Sequence, residues 1–143
     1  MTGTVHDSPT PWIADHIRRF METGGHPRPG VADLLLTTRG RRSGLLRRTA
    51  LAYVRAQDAY VLTASNAGAD RHPAWYLNLL ATPDVTLQVG ALAFAATARP
   101  ATAAESARLW PVVVAAMPSY AVYRTATTRE IPLVLVTPNG ATT

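Results

Sequence analysis

Five arginines, Arg39, Arg41, Arg42, Arg47 and Arg48, fall within one short stretch that contains no acidic residue. Gly40 and Gly44 free the backbone there, so consecutive N–H groups can converge on an anion. Arg41, Arg42 and Arg47 can each offer a planar fork to a phosphate or carboxylate, and Ser43 adds a hydroxyl. Such a loop suits a phosphodiester or carboxylate tail. It has neither the GxxxxGK[ST] spacing of a P-loop nor the GxGxxG of a dinucleotide fold. Two other readings stay open: a solvated arginine-rich hairpin, since charge runs usually face water, and a nucleic-acid contact through the Arg39–Arg48 patch. Against the second, no aromatic side chain lies inside the loop to stack on a base.

Other chemistry is sparse. The chain has no cysteine and no lysine, which removes disulfides, thiolate metal sites, a thiol nucleophile and Schiff-base catalysis. His6, His16, His26 and His72 show no metal-ligand spacing, so no metal is expected. The carboxylates are scattered and form no acid–base pair. Ser43 and Ser65 lack the context of a nucleophile elbow. Tyr120 and Tyr123 lie three apart and can share a helix face.

The elements that must position these residues follow from pattern. The chain has 143 residues, 48% of them hydrophobic and 16% charged, which suits a single globular domain. Its net charge is +5, and outside the basic stretch nine arginines face nine acids, so the positive field is local. The first ten residues read as a loosely attached arm. Trp12, Ile13, Ile17, Phe20 and Met21 recur at helical spacing after Thr10 and Pro11, predicting an amphipathic helix over 12–22. Strands are predicted over 31–38, 47–55, 60–65, 85–89, 92–98 and 133–137, with helices over 73–80, 102–117 and 118–125. Thr102 and Glu105 match a capping box, and Pro111 is expected to kink or split the helix it opens. About six mostly antiparallel strands with three or four helices make an α+β chain whose strands are expected to close into a small barrel. Residues 1–29 form an arm and helix; residues 30–143 form the one barrel domain.

Several collinear segments resemble the deazaflavin-dependent nitroreductase family. They are Thr37 to Gly44, Ala64 to Asp70, His72 to Leu79, Pro83-Asp84-Val85, Trp110-Pro111, Pro118 to Tyr123, and Ile131-Pro132. The resemblance covers residues 30–138. It implies a flavin-reductase-like split β-barrel and coenzyme F420, an 8-hydroxy-5-deazaflavin whose tail carries a phosphodiester and glutamates. By residue, it implies that Arg41, Arg42, Ser43, Gly44 and Arg47 hold the tail. It places Ala64, Ser65, Asn66 and Ala67 along the polar edge of the ring and Trp75 beside the pocket. Tyr120 and Tyr123 match positions over the ring, where a hydroxyl can orient the acceptor or help protonate it. The bland readings stand beside these. Trp75 can be core, Ser65 can cap a turn, Asn78 can brace a neighbouring loop, and the tyrosines can simply pack.

The chain departs from the family pattern where Met117 replaces a tyrosine and Ala50 a proline. With Ala52 also small, the acceptor pocket should be wider and more apolar. This points away from nitroimidazole reduction and toward quinones, enones or other conjugated acceptors. The resemblance therefore implies an F420H2-dependent reductase that passes a hydride to a small conjugated, nitro or quinone-type molecule. The alternative is a non-catalytic F420 carrier with the same fold; nucleic acid is not the expected partner. A cytoplasmic protein is expected, with a helix over 12–21 that packs on the barrel or a second subunit, or touches a membrane surface through Arg18 and Arg19.

Overall fold

The computed structural model describes residues 3–140. Eight strands form one sheet: β1 (Val5–Asp7), β2 (Asp33–Arg39), β3 (Leu46–Ala52), β4 (Val54–Ala56), β5 (Ala59–Thr63), β6 (Asp84–Val89), β7 (Leu92–Pro100) and β8 (Leu133–Pro138). Four helices accompany them: α1 (Pro11–Glu22), α2 (Ala74–Ala81), α3 (Ala103–Ala116) and α4 (Ser119–Ala126). The strand order is β1-β3-β2-β6-β7-β8-β5-β4, and every pairing is antiparallel except β1 with β3.

Alternation along the strands explains how this sheet curls. Leu34 and Leu36 of β2 share a fully buried cluster with Leu62 of β5 and with Val134 and Val136 of β8. Since β2 and β5 are separated in the sheet by β6, β7 and β8, they can share side-chain contacts only if the sheet wraps around that cluster. The intervening residues point outward and are buried too. Leu35 meets Ile17 and Phe20 of α1, while Val61, Leu133 and Leu135 meet Leu109, Trp110 and Val113 of α3. Two-sided burial is why β2 and β8 read as continuous apolar runs and not as polar–apolar alternation. Ile17 and Phe20 are almost fully buried, each worth about 1.5–3 kcal/mol of apolar transfer, and they fix α1 to the outer face of β2.

Three expectations need correction. Part of the first ten residues is not loose: Val5, His6 and Asp7 pair in parallel with Leu46, Arg47 and Arg48, and Arg48 Nε and Nη2 bind the Asp7 carboxylate at 2.6 and 3.0 Å. The expected strand over 47–55 is two strands, β3 and β4, because the chain turns off its β2 partner at Tyr53, whose N–H bonds to Ala32 O. Pro111 neither splits nor ends α3, which runs on through it. The capping box is present as expected: Thr102 Oγ1 accepts from the Glu105 N–H while the Glu105 carboxylate accepts from the Thr102 N–H.

Strand β1 pairs only with Leu46–Arg48. Beyond Arg48, the edge of β3 from Thr49 to Ala52 has no strand beside it among the described residues. An open strand edge presents free backbone donors and acceptors. Here it borders a large open cavity.

Candidate functional site

That cavity is an open cleft of about 800 Å³, within the usual size range of a cofactor or ligand site. The basic loop forms one end. Its shape is fixed by backbone bonds from Gly40 N to Leu45 O at 2.7 Å and from Gly44 N to Gly40 O at 2.8 Å. Ser43 Oγ accepts from the Leu45 N–H. A β-carbon on Gly40 would come within 2.6 Å of Ser43 Oγ, so the turn packs closely there. Arg39 Nη1 donates to Gly44 O. The loop is thus an ordered turn of the β2–β3 hairpin, with residues 41–45 exposed to solvent.

Asn78, on α2, ties this loop to the barrel. Its Oδ1 accepts the Arg41 backbone N–H and its Nδ2 donates to Thr38 Oγ1, each at 3.1 Å. Both Asn78 and Thr38 are buried. Arg41, Arg42, Ser43 and Arg47 all line the cleft. Of the five clustered arginines, Arg48 is neutralised by Asp7, whereas no acid lies within ion-pair reach of Arg41, Arg42 or Arg47 among the described residues. Three unneutralised guanidinium groups beside a largely apolar cleft have the chemistry that an anionic group requires. These features fit a deazaflavin carrying phosphate and carboxylates.

The opposite wall is the turn after β5. Ser65, Asn66 and Ala67 line the cleft, while Ala64 is fully buried behind them and Gly44 stands outside the lining. Asn66 and Ala67 both adopt positive φ, 48° and 54°, a left-handed conformation unusual for residues with a β-carbon. Arg129 holds this turn in place. Its guanidinium donates to the carbonyls of Ala64, Ser65 and Ala69, with Ser65 O at 2.8 Å, and meets His72 Nδ1 at 3.3 Å. Burial, with the Arg129 charge adding to it, pushes the His72 pKa down, so His72 favours the neutral ring that can accept from Arg129. Arg129 carries no motif of its own in the sequence. Its role depends on a contact across more than sixty residues.

Trp75 both packs against the barrel core and lines the cleft, so the core and pocket readings hold together. Ala52, Met117, Tyr120 and Tyr123 also line the cleft. The Tyr120 and Tyr123 rings pack at 6.1 Å between centroids, tilted by 56°. Burial raises the Tyr120 pKa; the Arg28 charge opposes this, and Tyr123 and Asp33 add to it.

Arg28, Asp33 and His16 were not singled out as site residues by the sequence patterns. Asp33 stands directly opposite Ala52 in the β2–β3 register, and its side chain is 0% exposed. Arg28 binds it with two bonds, Nε to Oδ2 at 3.0 Å and Nη2 to Oδ1 at 2.5 Å. His16 Nε2 faces the same carboxylate at 3.5 Å without a hydrogen bond. Arg28 and His16 also line the cleft. The only sequence signal was an aspartate opening an otherwise apolar strand.

Among the described residues there is no cluster able to hold a metal ion, and no helix is long and apolar enough to cross a membrane.

Known proteins resemble this chain in sequence and fold. The family model described as F420H(2)-dependent quinone reductase matches residues 12–138. An F420H(2)-dependent quinone reductase of Mycobacterium tuberculosis (strain ATCC 25618 / H37Rv) is 42% identical over 117 residues, covering 79% of this chain and 78% of the relative. Among solved structures, an F420-H2 dependent reductase, FDR-A, superposes with a TM-score of 0.67 at 32% identity, covering 94% of this chain and 99% of its own. Another, described as a domain-swapped dimer, has a TM-score of 0.69 at 36% identity and covers 90% of this chain and 99% of its own. The architecture is the α+β split barrel of flavin-reductase type, with eight strands where six were expected. The chain belongs to the F420H(2)-dependent quinone reductase family, and is an oxidoreductase.

Proposed function

We propose that the cleft binds F420H2 with its anionic tail on Arg41, Arg42, Arg47 and the Ser43 turn, and its ring between the Ser65–Ala67 turn and Trp75. The acceptor, a quinone or similarly conjugated small molecule, lies at the end lined by Ala52, Met117, Tyr120 and Tyr123. When bound, the reduced deazaflavin supplies a hydride from C5. The protein binds, orients and excludes water. Tyr120 and Tyr123 orient the acceptor, and the Tyr120 hydroxyl, kept protonated by burial, can donate a hydrogen bond or a proton to it. The observation that carries this reading is the convergence of three unneutralised arginines, the strained ring-edge turn and the tyrosine pair on one cleft.

The partners follow from the same geometry. The α1 arginines Arg18 and Arg19 are engaged by Asp15 and Glu22, which leaves little free positive charge for a lipid surface. Trp12 is 69% exposed and still lines the cleft, so it serves the acceptor as a hydrophobic rim. A relative solved as a domain-swapped dimer supports a homodimer for this chain.

The test is a titration followed by tryptophan fluorescence, with F420, FMN and a DNA oligomer at two salt concentrations. Selective F420 binding, weakened in an Arg41→Ala/Arg42→Ala variant, supports the reading. Binding of FMN or DNA in its place overturns it. F420H2 oxidation by a quinone in the same preparation separates a reductase from a carrier.

A further inference from the structure

We propose that Arg28 is a catalytic residue for the acceptor half-reaction. Together with the Tyr120 hydroxyl, it receives the acceptor oxygen on which negative charge develops. The inference rests on the cofactor reading above and goes beyond it, because no tail-binding or ring-binding role reaches this end of the cleft.

Four observations carry it. Arg28 lines the cleft and its side chain is 38% exposed, so it is accessible from the cavity. Its Nε and Nη2 are committed to Asp33, and Nη1 has no hydrogen-bond partner among the described residues. The Asp33 carboxylate is wholly buried and accepts both bonds, which fixes the plane of the guanidinium and so the direction in which Nη1 points. Arg28 and Tyr120 line the same cavity, and the Arg28 charge acts on the Tyr120 hydroxyl.

The chemistry requires such a group. Hydride addition to a quinone delivers two electrons and one hydrogen. The electron pair comes from the reduced deazaflavin, which is oxidised. The acceptor is left as the hydroquinone monoanion, and one proton, from Tyr120 or water, completes the hydroquinone. Charge therefore grows on an acceptor oxygen that carried little before. A donor already fixed at that oxygen lowers the barrier, because it need not reorganise during the reaction. Ala52, across the sheet from Asp33, is small enough to leave this corner open. Asp33 is a positioning residue acting through Arg28. His16, 11% exposed with its Nε2 unbonded beside the same carboxylate, closes the corner from α1.

The experiment uses two probes on the full-length protein loaded with oxidised F420. One is 2-hydroxy-1,4-naphthoquinone, an anion at neutral pH that mimics the hydroquinone monoanion. The other is the neutral 2-methyl-1,4-naphthoquinone. Wild-type protein is expected to bind the anion more tightly by about tenfold or more, the range of a hydrogen bond to a charged group. Because Arg28→Gln alone leaves the buried Asp33 charge without a partner, the decisive variants are Arg28→Lys, which keeps that charge neutralised, and Arg28→Gln/Asp33→Asn, which removes both charges. Both should bind F420 as wild type does and lose the preference for the anion. Their kcat for the neutral quinone should fall by about 10²-fold at nearly constant KM, the effect of losing one preorganised donor. A folded variant that keeps both the anion preference and kcat overturns the assignment. Failure of wild-type protein to bind F420 overturns the cofactor reading first, and this inference with it.

Discussion

The Asn78 side-chain amide oxygen accepts the backbone N–H of Arg41 at 3.1 Å, so the arginine loop is latched to the barrel by a residue 37 positions away. The same amide donates to Thr38, and both partners of this bridge are buried or partly so. Asn78→Leu keeps the volume but strands the Arg41 N–H and the Thr38 hydroxyl. We expect a loss of about 1–3 kcal/mol in urea unfolding, the cost of unsatisfied buried polar groups. We also expect weaker F420 binding, because Arg41 no longer starts from a fixed backbone. Unchanged F420 affinity in the folded variant would show that the latch does not serve the loop.

In the proposed mode of binding, Ala52 sets the width of the acceptor end. It is almost buried, lines the cleft and stands opposite Asp33. Ala52→Leu projects three more carbons toward the Arg28–Asp33 pair while leaving the tail loop alone. Steady-state kinetics should show a KM for bulky naphthoquinones raised by about tenfold, the order of one to two misplaced methylenes. The KM for a benzoquinone should change less, and F420 affinity should hold. Equal effects on both acceptors would place Ala52 away from the acceptor.

Much of the site was legible in the sequence because its parts are local. The Arg41–Arg47 turn and the Ser65–Ala67 turn each lie in one contiguous segment, and glycine and arginine at short spacing carry their own physical meaning. Tyr120 and Tyr123 share one short helix, so their pairing also follows from spacing. The strands were legible as apolar runs, but β1 was not. Val5, His6 and Asp7 have no apolar pattern, and their pairing depends on the distant Arg48. Arg129 and Arg28 were missed for the same reason. Each looks like an ordinary surface arginine until a fold brings the Ser65 carbonyl or the Asp33 carboxylate beside it. Of the kink or split expected at Pro111, the split does not occur, and Leu109, Trp110 and Val113 around it pack on β5 and β8.

Glu105 makes the structure sensitive to acid at one identifiable place. Two bonds from the Arg99 guanidinium, followed by the Thr102 backbone N–H, hold its carboxyl at a pKa of about 2, below the 4.5 of an ordinary glutamate. A carboxyl whose folded pKa is depressed contributes stability that is fully present above its unfolded pKa. That contribution is lost as pH falls from about 4.5 toward about 2. Glu105→Gln should therefore lower the melting temperature at pH 7 and flatten its acid-side slope within that window. A variant that follows the wild-type slope through the window would show that the α3 cap is not the titrating element.

Gly68 packs the turn after β5 against the tyrosine helix. Its φ is +80°, and a β-carbon there would sit 3.0 Å from Ala126 Cβ and 3.3 Å from the Tyr123 backbone. Gly68→Ala thus combines a left-handed conformation, costing about 1–2 kcal/mol for an L-residue, with a clash that only a shift of α4 can relieve. Ala67, one residue earlier, already bears the conformational penalty at φ 54° and ψ 31°. The two positions should therefore respond differently. Gly68→Ala should lower stability by about 2 kcal/mol or more. It should also depress quinone turnover, because Tyr123 moves with α4 while the arginine loop stays in place and F420 affinity changes little. Ala67→Gly relieves strain but adds about 0.5–1 kcal/mol of unfolded-chain entropy, leaving stability nearly unchanged. Chemical denaturation and steady-state kinetics on both variants read these effects separately. If Gly68→Ala loses stability but keeps full turnover, Tyr123 need not sit where this turn places it. If turnover falls while F420 affinity holds, the turn positions the acceptor tyrosines as well as the ring.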